Sequence, residues 1–560
     1  MVDYTVWRQW CDHAERASEK TAIVHWAAGR EPYSWSWGEL VDEACSYAVL
    51  LQEYGVEAGD VCGLIIRHSR DFYPVYMAVS AIGALPAVLA YPNPRLHPDK
   101  FRSGLEGMSR TSGLDWVLTE CELEPIVGPL LSSPGSSIRG ILFPFEWSRQ
   151  PVQSRELRIE RTADTSSPCL LQHSSGTTGL QKAVVLSHRA VLEHVHCYAA
   201  AIKVSPRDRV VSWLPLYHDM GLIAAFYLPL VLGIPLVQLD PFEWVVAPVI
   251  LLDAISKEQG TLTWLPNFAY NLMASRIRDE DLEGVRLDSL RMVINCSEPV
   301  RAESHEMFFR RFAPYGLRRE ALAACYAMAE TTFAVTQTPP CTEARTISVS
   351  RQQVEKGIAA LSAEVDGARH CVSSGAPISG CEVQILGEDG ESLPHGHIGE
   401  IVIRSVSLFD GYRNNKVKTA EVLRDGAYYS GDFGFLHEGE LYVMGRKKDI
   451  IIVAGKNIYP EDIEDVVSQL DGVLAGRVIA FGIENEDLGT EEICIVAETP
   501  CRDQSSQSIL RRSIVEACMD IDVTISRVYL ASPRWLIKSS AGKPARKINQ
   551  KRAIRELLYL

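Results

Sequence analysis

The most informative stretch of the sequence is Ser174-Ser175-Gly176-Thr177-Thr178-Gly179-Leu180-Gln181-Lys182, which contains four hydroxyl groups, two glycines and one lysine. Glycines let backbone N–H groups approach an anion, hydroxyls donate hydrogen bonds to phosphate oxygens, and the lysine adds a positive charge. Apolar runs typical of strands flank the stretch, whereas a Walker loop must lead directly into a helix. The stretch therefore predicts a phosphate-binding loop between two strands, with a Ser/Thr/Gly surface hairpin as the alternative.

Length and composition limit the possible classes of protein. A chain of 560 residues is too long for one hydrophobic core, so we expect at least two domains. The hydrophobic fraction of 46% and the charged fraction of 23% exclude a disordered chain. The net charge of −15, from 56 basic and 71 acidic residues, argues against a nucleic-acid-binding protein, which needs a basic face.

Cysteine usage and apolar runs predict a cytoplasmic protein without a membrane span. The fourteen cysteines are scattered and form no CxxC pair, which argues against a disulfide framework or a zinc site. The first residues lack the basic segment and apolar run of a signal peptide. The uncharged run 220–239 is interrupted by Pro229 and Pro235, so we expect a buried helix followed by a strand.

The order of predicted elements indicates an α/β fold. A strand at 61–66, a helix at 73–85 and a strand at 86–90 alternate, which predicts a largely parallel sheet. Similar alternation returns at 188–300. After about residue 380 the predicted strands are short and close together, which indicates a β-rich lobe.

The C-terminal end is locally basic in an acidic chain. From Arg534 onward there are eight basic residues and one acidic residue, Glu556. A charge run of this kind is typical of a solvated terminal helix. A binding site for an anion such as phosphate is the functional alternative.

The loop at 174–182 resembles the phosphate loop of the adenylate-forming superfamily, which includes acyl-CoA synthetases, fatty acyl-AMP ligases, peptide-synthetase adenylation domains and luciferases. Further segments resemble the family's motifs in the same order and span most of the chain. The resemblance implies a large, multi-lobed N-terminal domain, 1–447, with stacked sheets and a β-rich lobe. It also implies a small, mobile α+β C-terminal domain, 448–560.

The resemblance assigns roles in ATP binding to several motifs. His218, within Trp213–Leu222, would lie beside the carboxylate, and Glu330 would hold Mg²⁺, for which one carboxylate suffices when phosphates complete the coordination. Residues implied to bind the ATP phosphates are Ser174, Ser175, Gly176, Thr177, Thr178, Gly179 and Lys182. Residues implied to bind adenosine are Ser297, Glu298, Pro299, Cys325, Tyr326, Ala327, Met328, Asp432 and Arg446.

The C-terminal motifs imply a hinge and a catalytic lysine. Lys448 aligns with the residue about which the small domain turns, and Ala454 and Gly455 belong to a loop that meets the thiol acceptor. Lys543 ends a segment that resembles Lys-Thr-x-Ser-Gly-Lys. By this resemblance Lys543 contacts the substrate carboxylate and the α-phosphate, which would also explain the basic C-terminal end.

The sequence departs from the family pattern at Gln181, Ala183, Ala327 and Ala329. The alanine at 329 removes a hydroxyl that commonly contacts phosphate in the family. Because every charged group of the pattern is retained, these departures affect the expected rate and phosphate geometry rather than the class of reaction.

The resemblance implies ATP-dependent activation of a carboxylic acid to an acyl-adenylate, with release of pyrophosphate and transfer of the acyl group to a thiol. Segments at 218–222, 266–270 and 297–300 resemble fatty acyl-AMP ligases. The segment 339–371 also looks longer than in typical CoA ligases, and is a candidate for the insertion that restrains domain rotation. A variable surface loop is the alternative.

We therefore expect an acyl-AMP ligase that loads the phosphopantetheine thiol of a carrier protein. The alternative is an acyl-CoA synthetase that uses coenzyme A, because the residue pattern of the phosphate loop, with glutamine at 181, also occurs in that branch. A nucleotide-binding protein without catalytic activity is a more remote alternative, against which Lys543, Glu330 and Asp432 argue. Trp264 and Phe268 suggest an apolar acyl pocket, although aromatic residues are more often plain core.

Overall fold

The computed structural model describes residues 4–92, 98–148, 164–173, 182–362, 368–453, 456–485, 490–538 and 544–558. Three predicted parts of the site lie outside these residues: the phosphate-loop positions 174–179, the pair Ala454 and Gly455, and the catalytic lysine Lys543. Lys182, at the end of the phosphate loop, is described.

A four-stranded parallel sheet forms the first lobe, with strands in the order Leu85–Val88, Val61–Ile65, Trp116–Thr119 and Gly140–Leu142. The parallel α/β arrangement expected from the sequence is confirmed. The predicted helix is shorter than expected and spans Phe72–Ala81. It ends because Gly83 adopts a left-handed φ of 73° and donates its N–H to Ser80, a C-terminal cap that glycine favours.

A nine-stranded sheet forms the second lobe. Its six central strands, Leu322–Ala327, Met292–Asn295, Leu262–Leu265, Val210–Ser212, Leu236–Gln238 and Thr21–His25, pair in parallel. Antiparallel strands complete its edges at Tyr33–Ser36, Ala334–Gln337 and Ala376–Pro377. In open α/β sheets ligands bind beyond the carboxyl ends of the strands. The predicted motifs around His218, Ser297 and Tyr326 lie at or after three such ends.

The phosphate loop is carried by a separate antiparallel ribbon. Pro168–His173 pairs with Ala183–Ser187, which confirms the two strands expected on either side of the loop. A third strand, Gly411–Tyr412, pairs with the second one and brings Tyr412 opposite Val184.

The chain after residue 380 is rich in antiparallel strands, as expected. One sheet is built from Cys381–Leu386, Gly399–Ser405, Ala427–His437, Leu423–Arg424 and Glu440–Arg446. A two-stranded ribbon of Thr346–Val349 and Arg369–Val372 precedes it.

The residues beyond Lys448 have their own core. A hairpin of Ile451–Val453 and Lys456–Ile458 leads into a sheet of Val478–Asn485, Thr490–Glu498 and Arg527–Ala531. Buried residues such as Ile463, Ile495 and Ile514 pack between this sheet and its helices, apart from the main core. The separate core agrees with an α+β unit at this end. The helices here are Pro460–Ser468, Gln504–Met519 and Arg546–Ala553, followed by a π-helical turn at Ile554–Leu558.

Helices alternate with the strands of the two large sheets along the chain. The longer ones are Val6–Ala17, Trp37–Glu53, Pro98–Ser112, His188–Ala201, Val249–Glu258, Asn267–Arg276 and Ala302–Phe312. The uncharged run forms a π-helical turn, Met220–Tyr227, a helix, Leu228–Leu232, and a strand, Leu236–Gln238, all within the core. Within the described ranges, no helix has both the length and the apolar character needed to cross a membrane.

Candidate functional site

The predicted ribose-binding group is assembled by a hairpin and a strand of the large sheet. Strands Ala427–His437 and Glu440–Arg446 pair Asp432 directly opposite Arg446. The Arg446 Nε lies 3.3 Å from Asp432 Oδ1, and the Tyr326 hydroxyl donates to Asp432 Oδ2 at 2.7 Å. Burial and the neighbouring Asp432 raise the pKa of Tyr326, so its hydroxyl stays protonated at neutral pH. The carboxylate is therefore held in a fixed orientation.

The predicted adenine loop is held by hydrogen bonds of its side chains to residues 267 and 268. Asn295 Nδ2 donates to Asn267 Oδ1 at 3.0 Å, and Glu298 Oε2 accepts the backbone N–H of Phe268 at 2.9 Å. Ser297 between them has a φ of 69°, an uncommon conformation for a residue with a Cβ. These contacts fix the turn after strand Met292–Asn295. Pro299 is exposed at the tip of the loop.

Glu330, predicted to hold Mg²⁺, lies beside Lys182. The hydroxyl of the buried Tyr412 donates to Glu330 Oε1 at 2.6 Å, and Lys182 Nζ lies 3.4 Å from the same hydroxyl and 4.5 Å from the ring centre. Desolvation lowers the pKa of Lys182, while Glu330 opposes that shift. The structure thus brings together Lys182, the last residue of the predicted phosphate loop, and the predicted metal ligand.

Tyr412 contacts two residues of the predicted site, although no motif in the sequence marks it. Its only local signal is a Gly-Tyr pair in the β-rich lobe, which is not diagnostic. The pairing of Gly411–Tyr412 with Ala183–Ser187, more than 200 residues away, brings it to the site.

His218 lies six residues beyond the end of the parallel strand Val210–Ser212. Its Nδ1 is 2.6 Å from Asp219 Oδ1, and both side chains are largely buried. Asp219 Oδ1 also accepts the backbone N–H of Met220 at 2.8 Å, which starts the π-helical turn. The Ser297 hydroxyl is 3.8 Å from the Met220 sulfur, so this turn adjoins the adenine loop.

The other predicted adenosine residues lie on or after one strand. Cys325 and Ala327 belong to Leu322–Ala327, and Met328 follows it. The Cys325 thiol is buried, and burial raises its pKa well above the usual value, so it is an inert thiol.

The two residues proposed for an acyl pocket have different environments. Trp264 is fully buried, and its indole N–H donates to the Tyr198 hydroxyl at 2.9 Å. Phe268 is 40% exposed and packs edge-on against Trp213 and Trp244, whose rings stack 3.6 Å apart. An apolar surface that a ligand could reach is therefore present at Phe268, whereas Trp264 belongs to the core.

Lys448 lies in a short 3₁₀ turn, Lys447–Asp449, between the main core and the C-terminal core. Desolvation lowers its pKa, and the positive charges of Arg446, Lys547 and Lys182 act in the same direction. The neighbouring Asp449 opposes this shift.

Much of the positive charge at the C-terminal end is paired with carboxylates. Arg546 contacts Asp449 Oδ2 at 2.7 Å and Glu464 Oε2 at 2.8 Å, and Arg552 contacts Glu556 Oε2 at 2.9 Å. The basic run is therefore partly structural.

A family model described as AMP-binding enzyme matches residues 10–413. A putative acyl-CoA synthetase of Caulobacter vibrioides is 29% identical over 517 residues, which cover 91% of this chain and 88% of that protein. A medium-chain-fatty-acid–[acyl-carrier-protein] ligase of Moorena producens is 32% identical over 538 residues, which cover 92% and 89%.

Two solved structures are also similar to this chain. A structure from a study of fatty acyl-adenylate ligases from E. coli and L. pneumophila has a TM-score of 0.88 and 26% identity, and 99% of each chain is covered. The fatty acyl-adenylate ligase of L. pneumophila in complex with acyl adenylate and pyrophosphate has a TM-score of 0.74 and 26% identity, over 98% and 96% of the chains.

Proposed function

The chain belongs to the AMP-binding enzyme family, and we propose that it is a fatty acyl-AMP ligase that loads a carrier protein. Its general activity is adenylate formation, in which a carboxylic acid is activated by ATP. Two clusters of contacting side chains in this chain best support this reaction. One is Tyr326, Asp432 and Arg446, and the other is Lys182, Tyr412 and Glu330.

The chemistry requires alignment and charge neutralisation more than proton transfer. A carboxylate is already a nucleophile, so its attack on the α-phosphorus of ATP needs no general base. We propose that Asp432 accepts hydrogen bonds from the ribose hydroxyls, for which Tyr326 and Arg446 orient it. Lys182 supplies positive charge at the phosphates, where preorganised charge is most effective.

The side chain of Glu330 has the chemistry and the position expected of a magnesium ligand. Its carboxylate is a hard oxygen donor, it is buried beside Lys182, and its orientation is fixed by Tyr412. Magnesium in nucleotide sites is commonly held by one or two carboxylates together with phosphate oxygens. The ion would supply charge neutralisation at the phosphates. We propose that Lys543 adds a further positive charge at the bond that forms.

The preference for a carrier protein rests on the segment 339–371. Arg369 in this segment is buried, and its Nη2 lies 3.0 Å from Asp462 Oδ1 on the other side of Lys448. Lys456 Nζ, also beyond Lys448, lies 2.8 Å from Glu355 Oε2. If the C-terminal domain, 448–560, rotates about Lys448 between the half-reactions, these ion pairs must break. These contacts tie the segment to the C-terminal domain, which supports a restrained domain.

The acid is proposed to be apolar. Phe268, with Trp213 and Trp244 behind it, offers an aromatic surface near the adenine loop, because the Phe268 N–H is bound by Glu298. The similarity to a medium-chain fatty-acid ligase supports the same class of acid.

We also propose that the protein is cytoplasmic. All fourteen cysteines are free thiols, which fits the reducing cytoplasm.

The thiol acceptor in the alternative function is coenzyme A, and the similarity to a putative acyl-CoA synthetase favours that alternative.

The test separates the two half-reactions. Pyrophosphate exchange with acetate, octanoate and palmitate as acids should be fastest with the fatty acids. Octanoate or palmitate should then be transferred to a phosphopantetheinylated carrier protein faster than to coenzyme A. Efficient release of acyl-CoA would replace the acyl-AMP ligase with an acyl-CoA synthetase, and exchange with none of the acids would refute fatty-acid activation.

A further inference from the structure

Arg301 is anchored to the adenine loop by its backbone. It follows Ser297–Val300 and precedes the helix Ala302–Phe312. Its backbone N–H donates to Asn267 Oδ1 at 3.1 Å, and the same oxygen accepts from Asn295 Nδ2 at 3.0 Å. Asn267 therefore connects the backbone of Arg301 with Asn295 at the start of the adenine loop.

The side chain of Arg301 reaches across to the C-terminal side of Lys448. Its Nη1 lies 3.1 Å from Asp465 Oδ2, and its Nη2 donates to the backbone carbonyl of Glu461 at 3.0 Å. Glu461 and Asp465 are one turn apart on the helix Pro460–Ser468, so the guanidinium spans a single helical turn. Only 25% of the Arg301 side chain and 31% of that of Asp465 are exposed, which limits screening by solvent.

The same helix contacts the C-terminal helix on another side. Arg546 lies within 2.8 Å of Glu464 Oε2 and 3.4 Å of Glu461 Oε1. Lys543, the proposed catalytic lysine, precedes Arg546 by three residues. The helix Pro460–Ser468 thus links Arg301 at the adenine loop with the base of the segment that carries Lys543.

We propose that Arg301 is a positioning residue that latches the C-terminal domain to the adenine loop for adenylation. The inference rests on the proposed function, in which this domain must move before thiol transfer. Because Arg301 and its partners lie on opposite sides of Lys448, the contact has to break when the domain rotates. Arg301 therefore stabilises the domain arrangement seen in this structure, which we assign to adenylation, relative to one in which the domain has rotated.

The latch is tested by Arg301→Ala, Arg301→Lys and charge reversal. Arg301→Ala should lower kcat for pyrophosphate exchange about tenfold, a typical size for coupling between sites, with little change in the KM for ATP. Arg301→Lys should retain more of this activity than Arg301→Ala. Transfer of the acyl group from chemically prepared acyl-adenylate should be unchanged or faster. Arg301→Asp and Asp465→Arg should each impair exchange, and the double variant should exceed both single variants.

The control is Arg310→Ala on the same helix, whose side chain is 77% exposed and pairs with Glu306. It should behave as the parent. Equal loss of both half-reactions in Arg301→Ala, with no recovery in the reversed pair, would overturn the latch.

A second measurement does not depend on activity. Trypsin cleavage near Lys447 and Lys448 should be faster in Arg301→Ala than in the parent or Arg310→Ala, and the reversed pair should restore protection. Unchanged cleavage would also overturn the latch. A parent that lacks exchange activity but shows these cleavage differences would refute the proposed function alone.

Discussion

The structure predicts that the hydroxyl of Tyr412 is needed for a normal rate of adenylation. Tyr412→Phe removes the hydrogen bond to Glu330 Oε1 at 2.6 Å but keeps the ring 4.5 Å from Lys182 Nζ. A hydrogen bond to a charged group contributes about 1.5–3 kcal/mol. Since each 1.36 kcal/mol changes a rate about tenfold, adenylation should slow by roughly ten- to hundredfold.

The assay is pyrophosphate exchange measured against Mg²⁺ concentration. If Tyr412 orients Glu330 for the ion, the variant should also need more Mg²⁺ for half-maximal rate. The matched control is Tyr91→Phe, which removes a tyrosine–glutamate hydrogen bond of 3.2 Å to Glu120 in the first lobe. Tyr91→Phe should leave exchange unchanged. A Tyr412→Phe enzyme with parental rate and parental Mg²⁺ dependence would refute the role of the hydroxyl.

Four further predictions follow from the site and its surroundings. Lys543→Ala should lower acyl-adenylate formation by about 10²–10³, as for loss of a preorganised electrostatic group, and near-normal pyrophosphate exchange would contradict its assignment. Asp432→Ala should raise the KM for ATP and weaken discrimination against 2′-deoxy-ATP, and equal use of both nucleotides by the parent would give Asp432 another role. Lys448→Pro, which fixes φ near −65°, should spare acyl-adenylate formation and impair thioester formation, whereas equal loss of both would reject the hinge. Burial raises the pKa of Glu464 from 4.5 to about 7, so the folded protein binds more protons between these values and the contribution of Glu464 to stability falls as pH rises through that window. Glu464→Gln should therefore flatten the decline of Tm between about pH 4.5 and 7, and an unchanged slope would contradict it.

The sequence predicted most accurately where local pattern and geometry coincide. Asp432 and Arg446 are separated by a turn at Gly439, and a hairpin of that length places them on opposite strands, as the structure does. The strands flanking the phosphate loop were equally predictable from their apolar runs. The sequence pattern predicts a helix at 73–85 that is too long at its C-terminal end, because the hydrophobic pattern continues past Ala81 while Gly83 ends the helix by its backbone conformation.

Contacts between distant segments could not be predicted in the same way. Tyr412 and Glu330 are 82 residues apart, and neither carries a local signal for the other. Tyr326 could be assigned only through a family resemblance, since the strand that carries it is ordinary in composition. The family resemblance implies a role for Tyr326 in adenosine binding, whereas it implies no role for Tyr412.

The acidic start of the helix Pro460–Ser468 shows the limit most clearly. In sequence, Glu461 and Asp462 form a favourable acidic first turn, where carboxylates interact with the helix dipole, and Glu464 and Asp465 follow in the next turn. In the structure each carboxylate also faces an arginine: Arg546 contacts Glu461 and Glu464, Arg369 contacts Asp462, and Arg301 contacts Asp465. Two of these arginines come from the N-terminal side of Lys448 and one from the C-terminal side. A helix that satisfies local rules can therefore also serve as the junction between domains, and only the tertiary structure distinguishes the two roles.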